Sequence, residues 1–213
     1  MRRTILIGGS GRSGTNIVKE LLSEHGSTFS LPFEHRFTID PCGIVDFYNS
    51  FTANWSPYYS DHKIKELSTF LRMLAQKDGE RKTYKDWELE KHFPNYTEHV
   101  KTLIGKLKTF DYEGIWPGSE QERMMFAPYR TQKELKPLFK EFFRNLVGSL
   151  LEEHDKEVFV EDNTWNTLYA RELLDLIPDS KLLHVVRDPR DVVASLLKQR
   201  WTPNDLTQAL QWY

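Results

Sequence analysis

The sequence contains very little cysteine and no long apolar run. Cys42 is the only cysteine among 213 residues, so an intrachain disulfide and a multi-cysteine zinc or iron–sulfur site are both excluded. Such a chain is typical of a reducing compartment, and we expect a cytoplasmic location. The apolar run at 4–8 is too short for a secretory signal, and no run approaches about 18 residues, so no membrane span is predicted.

Neither sign of charge is in large excess. Lysine and arginine number 29 against 31 aspartates and glutamates, which gives a formal net charge of -2. This balance shows no bias toward a polyanionic partner, and we expect no nucleic acid to bind. With 39% hydrophobic and 28% charged residues, the chain is also unlike intrinsically disordered sequences. The length favours a single domain over 1–213 with room for an insertion.

Strand-like and helix-like segments alternate along much of the chain. Short apolar or alternating runs predict strands at 4–8, 27–33, 157–161 and 181–186. Apolar residues at helical spacing predict helices after the first strand, over 135–151, near 167–177, and after 188 and 205. This order predicts an α/β fold, a three-layer parallel sheet flanked by helices. We expect the strand at 27–33 to lie beside the first strand, because a single helix joins them.

The segment 40–130 departs from this alternation. Helical spacing at 61–76 and 97–108 predicts a helical insertion or cap. The segment is rich in aromatic residues, including Trp55, Tyr58, Tyr59, Trp87 and Trp116. These side chains can stack on a sugar or aryl acceptor, although ordinary core packing is the simpler explanation.

A glycine-rich loop, GGSGRSGT, follows the first strand and precedes the first helix. Its glycines let backbone amides converge at a helix N-terminus, which favours an anion such as phosphate or sulfate. Gly9 and Gly14 have the spacing of an ATP-binding loop, but Thr15 and Asn16 stand where that loop needs Lys and then Ser or Thr. Arg12 supplies positive charge instead, and the hydroxyls of Ser13 and Thr15 add hydrogen-bond donors.

A second candidate anion site lies in RDPRDVVAS, after the last predicted strand. Asp188 is expected to cap the following helix, with Pro189 in its first turn. Capping does not explain Arg187, which leaves the sheet at the carboxyl edge where open α/β folds bind ligands. Ser195 lies about two helical turns further on, so Arg187 and Ser195 can hold one phosphate together.

These two elements together resemble the PAPS-dependent sulfotransferases. That family commonly has Lys or Arg, Ser, Gly, Thr in its first loop, matched here by Arg12 to Thr15, and an Arg eight residues before a Ser, matched by Arg187 and Ser195. The resemblance implies a P-loop-like fold. It also implies that Gly11, Arg12, Ser13, Gly14, Thr15 and Asn16 hold the 5′-phosphosulfate of PAPS, while Arg187 and Ser195 hold its 3′-phosphate. Because a sulfuryl group carries less charge than a phosphoryl group, cationic side chains replace magnesium, and no metal is expected.

Sulfuryl transfer to a hydroxyl or amine requires a base for the acceptor's proton and positive charge near the departing oxygen. Glu34 and His35 follow the second predicted strand and are the two candidate bases. The resemblance favours Glu34, because relatives often place an acidic residue there, while a histidine variant also exists. By the same resemblance, Arg12 is expected to stabilise the oxygen that leaves with the product PAP.

The sequence departs from the family pattern at two places. Many relatives carry Lys, Thr or Ser, then Pro after the third strand, whereas Asn163 stands in the basic position here. The family also usually continues with a helix and a basic, glycine-containing loop, so we expect the C-terminal part of the family domain to be missing.

Two other functions compete with sulfuryl transfer. In a nucleoside or small-molecule kinase, Asp162 would be the magnesium ligand, against which the missing loop lysine argues. The second alternative is a nucleotide-binding module that has lost catalysis. The expected acceptor is a small molecule or carbohydrate, which the helical insertion at about 40–130 is expected to cover. The sequence does not predict the identity of the acceptor or the oligomeric state.

Overall fold

The computed structural model of the chain describes residues 3–75, 87–115 and 123–213. The strands in these residues are β1 (Arg3–Gly9), β2 (Thr28–Ser30), β3 (Phe110–Glu113), β4 (Arg123–Phe126), β5 (Val158–Asp162) and β6 (Ser180–Val185). The α-helices are α1 (Thr15–Ser23), α2 (Ile44–Ala53), α3 (Pro57–Met73), α4 (Leu89–His92), α5 (Tyr96–Leu107), α6 (Gln132–Glu153), α7 (Ala170–Leu176), α8 (Pro189–Leu196) and α9 (Leu206–Trp212). A short 3-10 helix covers Thr164–Thr167. Gln76 and Trp116, which belong to predictions above, lie outside the described residues.

The described residues fall into two compact units. The first contains residues up to 34 together with 156–174 and 179–213, and the second contains 35–155 together with 175–178. The first unit holds a four-stranded sheet in the order β2-β5-β1-β6, with every neighbouring pair parallel. Helices flank this sheet, so the predicted α/β class is confirmed.

The predicted position of the second strand is wrong. β2 pairs with β5 and not with β1, because β5 lies between them in the sheet. The strand is also shorter than expected, ending at Ser30 rather than near residue 33. Neighbourhood in a parallel sheet depends on long-range pairing, which the local pattern of apolar residues does not encode. As a result, Glu34 follows a strand that is two places away from the one that carries the glycine-rich loop.

Close approach of backbones requires glycine where β1 ends. A Cβ atom on Gly9 would lie 2.5 Å from the carbonyl oxygen of Val185 and 2.5 Å from the Ser13 Oγ. Gly9 and Val185 are register partners in the β1–β6 pair, so neither backbone can move away without disturbing the sheet. The glycine at position 9 therefore lets β1 and β6 stay paired up to the start of the loop.

We predict that Gly9→Ala destabilises the protein by about 1–3 kcal/mol, because the added methyl group overlaps backbone atoms. Gly26→Ala is the matched control, since a Cβ atom there meets nothing within 4 Å. Thermal or urea unfolding of the two variants measures the difference. Equal stability of the two variants would contradict the tight packing at the end of β1.

The second unit is mostly helical within its described residues and has an aromatic core. Side chains less than 2% exposed include Phe37, Phe47, Phe51, Phe93, Tyr96 and Phe139. Helices α3 and α5 overlap the predicted helical stretches at 61–76 and 97–108, whereas α2 and the antiparallel β3–β4 hairpin were not predicted. Trp55 donates a hydrogen bond to the Ala127 carbonyl at 3.1 Å, and the residue is 39% exposed.

Helix α6 begins at Gln132, three residues before the predicted apolar stretch at 135–151. Thr131 and Glu134 form a reciprocal capping box, so the helix includes Pro137 in its second turn. The remaining stretch carries the predicted apolar stripe, with Leu135, Phe139, Leu146 and Leu150 fully buried. The described helices include none that is both long enough and apolar enough to cross a bilayer.

Candidate active site

The glycine-rich loop turns sharply between β1 and α1. Gly14 occupies the N-cap of α1 with a φ of 105°, and Arg12 has a φ of 71°, so two residues adopt left-handed backbone. The Ser13 amide donates to the Ser10 carbonyl at 3.1 Å, which closes the turn. The first amides of α1 lack partners within the helix and carry its positive dipole end. This geometry makes the start of α1 a candidate site for an anion.

The Ser13 side chain gives an independent sign that the loop accepts a ligand. Its Oγ is buried and has no hydrogen-bond partner among the described residues. A buried hydroxyl without a partner is unfavourable by about 1–3 kcal/mol, which a bound anion would offset. The residues of the loop therefore fit a phosphate or phosphosulfate group.

The second candidate anion site lies directly against the first. Arg187 donates from Nη1 to the Arg12 carbonyl oxygen at 3.3 Å, and Arg12 donates from Nε to the Ser195 Oγ at 3.1 Å. The parallel pairing of β6 with β1 causes this proximity, since Arg187 follows β6 and the loop follows β1. Asp188 caps α8 by accepting from the Arg190 amide, with Pro189 in the first turn, as predicted.

Two buried carboxyl groups lie at the carboxyl end of β5, next to the loop-bearing strand. Asp162 is the register partner of Ile7 in β1. Burial raises the pKa of Asp162, while Thr15 and Lys19 of α1 lower it. Both of its carboxylate oxygens are buried, and neither accepts a hydrogen bond of ordinary geometry from the described residues. Burial also raises the pKa of Glu161 to about 8, although Asn166 donates a hydrogen bond to it. Thus Glu161 holds a proton at neutral pH.

We predict that Glu161 makes the protein less stable as the pH rises. Its pKa is about 8 in the folded state against an ordinary 4.5, so the folded state binds more protons between these values. The stability of the wild-type protein should fall as the pH rises from about 4.5 to about 8. The charges of Asp162, Glu34 and Lys19 also act on the pKa of Glu161. Glu161→Gln should raise Tm relative to wild type more at pH 8 than at pH 4.5.

Scanning calorimetry across pH 4.5–8, with Glu24→Gln as a control on the exposed surface of the same unit, measures this effect. If Tm depends on pH in the same way in Glu161→Gln and in the wild type, the buried and protonated state of Glu161 is contradicted.

The two candidate bases have different surroundings. Glu34 is half-buried, and its charge helps to raise the pKa of Glu161, which places it near the end of β5. His35 belongs to the helical unit and is 5% exposed. Its ring stacks on Phe37 at a centroid distance of 4.4 Å and meets Phe93 edge-on at 6.2 Å. Burial lowers the pKa of His35 to about 3, so the imidazole is neutral and resists protonation.

Sequence reasoning missed Trp201 at the loop and gave Asn163 no contact of its own. The Trp201 ring packs on Gly11, where a Cβ atom would lie 3.0 Å from its Cη2, and it meets Trp212 edge-on at 5.6 Å. Asn163 accepts from the Trp165 amide through Oδ1 at 3.1 Å, and its buried Nδ2 has no partner in the described residues. No local pattern marks the Trp201 contact, because it joins distant parts of the chain. Asn163 was noticed only as a departure from the family pattern.

A cluster of possible metal ligands lies in the helical unit, formed by Cys42, Asp46 and Glu66. Lys63 donates hydrogen bonds to both carboxylates, with Nζ 3.1 Å from Asp46 Oδ2. These carboxylates raise the pKa of Lys63 against the opposing effect of burial, so its ammonium group neutralises much of the cluster. We assign this cluster a structural role in joining α2 to α3.

Comparison with protein families agrees with this geometry. The sequence profile described as the sulfotransferase family matches residues 4–212, which is nearly the whole chain. No curated protein and no solved structure shows a significant match. The chain therefore belongs to the sulfotransferase family, whose members transfer sulfuryl groups.

Proposed function

We propose that this protein transfers a sulfuryl group from PAPS to a hydroxyl or amine of a small-molecule or carbohydrate acceptor, by an in-line and metal-independent route. The observation that carries the proposal is the adjacency of two anion-binding elements, joined by the 3.3 Å contact from Arg187 to the Arg12 carbonyl. PAPS has a phosphosulfate at the 5′ position and a phosphate at the 3′ position of one ribose. Two neighbouring anion sites match those two groups.

Two separate groups of residues bind the two charged ends of PAPS. The loop holds the 5′-phosphosulfate through backbone amides, hydroxyl groups and the Arg12 guanidinium, aided by the dipole of α1; its residues are Gly11, Arg12, Ser13, Gly14, Thr15 and Asn16. Arg187 and Ser195 hold the 3′-phosphate by charge-assisted hydrogen bonds. The donor supplies the sulfuryl group and a stable leaving group, PAP. The role of Arg12 at the leaving oxygen stays a prediction from the sequence.

The base removes a proton from the acceptor as the acceptor oxygen or nitrogen forms a bond to sulfur. At the same time the bond from sulfur to the bridging oxygen breaks, and its electron pair leaves with the 5′-phosphate of PAP. Glu34 is the better candidate for the base, because the low pKa of His35 disfavours its protonated form. His35 packs within the helical unit, through its contacts with Phe37 and Phe93.

The kinase alternative has one specific observation in its favour. Asp162 lies next to Thr15 of the loop. Its two carboxylate oxygens are buried, and neither accepts a hydrogen bond of ordinary geometry from the described residues. In a kinase such a carboxylate would bind magnesium. Against this reading, Thr15 occupies the place of the lysine that a kinase loop uses on the phosphates.

Ligand-induced stabilisation separates the candidate functions. We predict that PAP and PAPS raise Tm, and that either ligand at 100 times its Kd adds about 2.7 kcal/mol of stability. Magnesium ATP should leave Tm unchanged. A shift with magnesium ATP alone would favour the kinase, and a PAP shift without any sulfuryl transfer would favour a binding module that has lost catalysis.

We predict that Glu34→Gln lowers kcat for sulfuryl transfer by about 10²- to 10⁴-fold, the usual contribution of a general base. The Kd for PAP should change little, because the base faces the acceptor. A screen of acceptors with labelled PAPS supplies the assay, and Glu20→Gln on α1 is the matched control. Wild-type turnover in Glu34→Gln would remove Glu34 as the base.

A further inference from the structure

Asp162 is a buried acid beside the strand that carries the glycine-rich loop. It ends β5 and is the register partner of Ile7 in β1. The residue is 4% exposed, and neither carboxylate oxygen accepts a hydrogen bond of ordinary geometry from the described residues. Burial without such bonds penalises the charged form of an acid. The ionised form of Asp162 is therefore poorly stabilised even before a ligand binds.

The same carboxyl group lies close to the start of α1. The side chain of Thr15 acts on the pKa of Asp162 through a hydrogen-bond interaction, so the two side chains are neighbours. Thr15 is the first residue of α1 and follows Gly14 at its N-cap. Its amide is among those that a helix leaves without an internal partner. An anion held by these amides would add negative charge near Asp162, where the low dielectric of a buried site strengthens repulsion.

The acidic neighbours of Asp162 do not relieve this repulsion. Glu161, the preceding residue of β5, is protonated at neutral pH because burial raises its pKa to about 8. Glu34, which follows β2, and Asp162 itself both help to raise that pKa through their negative charge. Further negative charge in this region is therefore unfavourable.

The cations near Asp162 offset only part of the charge. Lys19 of α1 lowers the pKa of Asp162. Arg3 of β1 lies at the opposite end of that strand from the loop. Arg12 and Arg187 lie at the loop itself, but both are exposed, so solvent screens their effect on a buried group. A bound anion consequently leaves Asp162 with a stronger preference for its neutral form.

We propose that Asp162 takes up one proton when an anion binds in the glycine-rich loop, so that the protein binds its donor together with a proton. The carboxylate and a proton from the buffer form a neutral carboxyl group, and no other bond changes. Because the protonated form binds the anion more tightly, the affinity should be higher at lower pH. This inference rests on the proposed function, since it concerns the loop that is proposed to hold PAPS.

Inorganic sulfate is the first probe, because it keeps the same charge over the pH range used, whereas the phosphates of PAP titrate within it. Titration calorimetry gives the Kd of sulfate from about pH 5 to about pH 7.5, below the pKa of about 8 of Glu161. For the wild type we expect Kd to rise with pH by up to about tenfold per pH unit. Repeating the titration in two buffers of different ionisation enthalpy measures the proton uptake directly.

Asp162→Asn keeps the shape of the side chain and cannot titrate. Its Kd for sulfate should be independent of pH and should equal, at high pH, the value that the wild type reaches at low pH. A purely structural role of Asp162 would instead weaken binding equally at every pH. With PAP, the proton uptake of the wild type minus that of Asp162→Asn cancels the titration of the ligand's own phosphates.

Two control variants remove the other nearby groups that can take up a proton. His184 is the register partner of Gly8 in the β1–β6 pair, and histidine ordinarily gains its charge in this pH range. Glu161 precedes Asp162 in β5. His184→Gln and Glu161→Gln should both keep the pH dependence of the wild type. If Asp162→Asn does not fold, these two variants and the proton uptake of the wild type still test the inference.

Three results would overturn the inference. The first is sulfate binding to the wild type without proton uptake, and the second is an unchanged pH dependence in Asp162→Asn. The third is a loss of the pH dependence in His184→Gln or in Glu161→Gln, which would assign the proton to that residue. A wild-type protein that binds neither sulfate nor PAP at any pH would contradict the proposed function itself, which separates that failure from the failure of the inference.

Discussion

The site depends on the parallel pairing of β1 with β6. Gly9 lies opposite Val185 at the end of this pair, and its missing side chain lets the two backbones stay together as they leave the sheet. The glycine-rich loop and the segment with Arg187 therefore emerge side by side, although they are 175 residues apart at the Arg12–Arg187 contact. Without that pairing, each element would be an ordinary turn or a helix cap.

Charge is distributed unevenly around the loop. Two arginine guanidiniums and the N-terminus of α1 lie at the glycine-rich loop, whereas two carboxyl groups are buried at the neighbouring end of β5. Burial raises the pKa of Glu161 to about 8, and it also raises the pKa of Asp162. The proton held by Glu161 limits the negative charge at this end of β5. This arrangement suits a donor that brings several negative charges of its own.

Local sequence patterns predicted the elements whose cause is local. The apolar run before the loop, the glycines, and the Asp188 cap each have a short-range signature, and the structure contains all of them. The place of β2 was predicted wrongly because strand neighbours are chosen by long-range packing. The contact of Trp201 with Gly11 and that of Arg12 with Ser195 depend on tertiary structure in the same way. The burial of His35 likewise depends in part on Phe93, which is distant in sequence.

The most direct test of this account is a crystal structure of the protein with PAP bound. The account predicts that the 5′-phosphate lies on the amides at the start of α1 and the Ser13 hydroxyl. It also predicts that the 3′-phosphate lies within hydrogen-bond distance of Arg187 and Ser195. A nucleotide bound in the reverse orientation, with its 3′-phosphate in the glycine-rich loop, or bound away from both elements, would contradict the account.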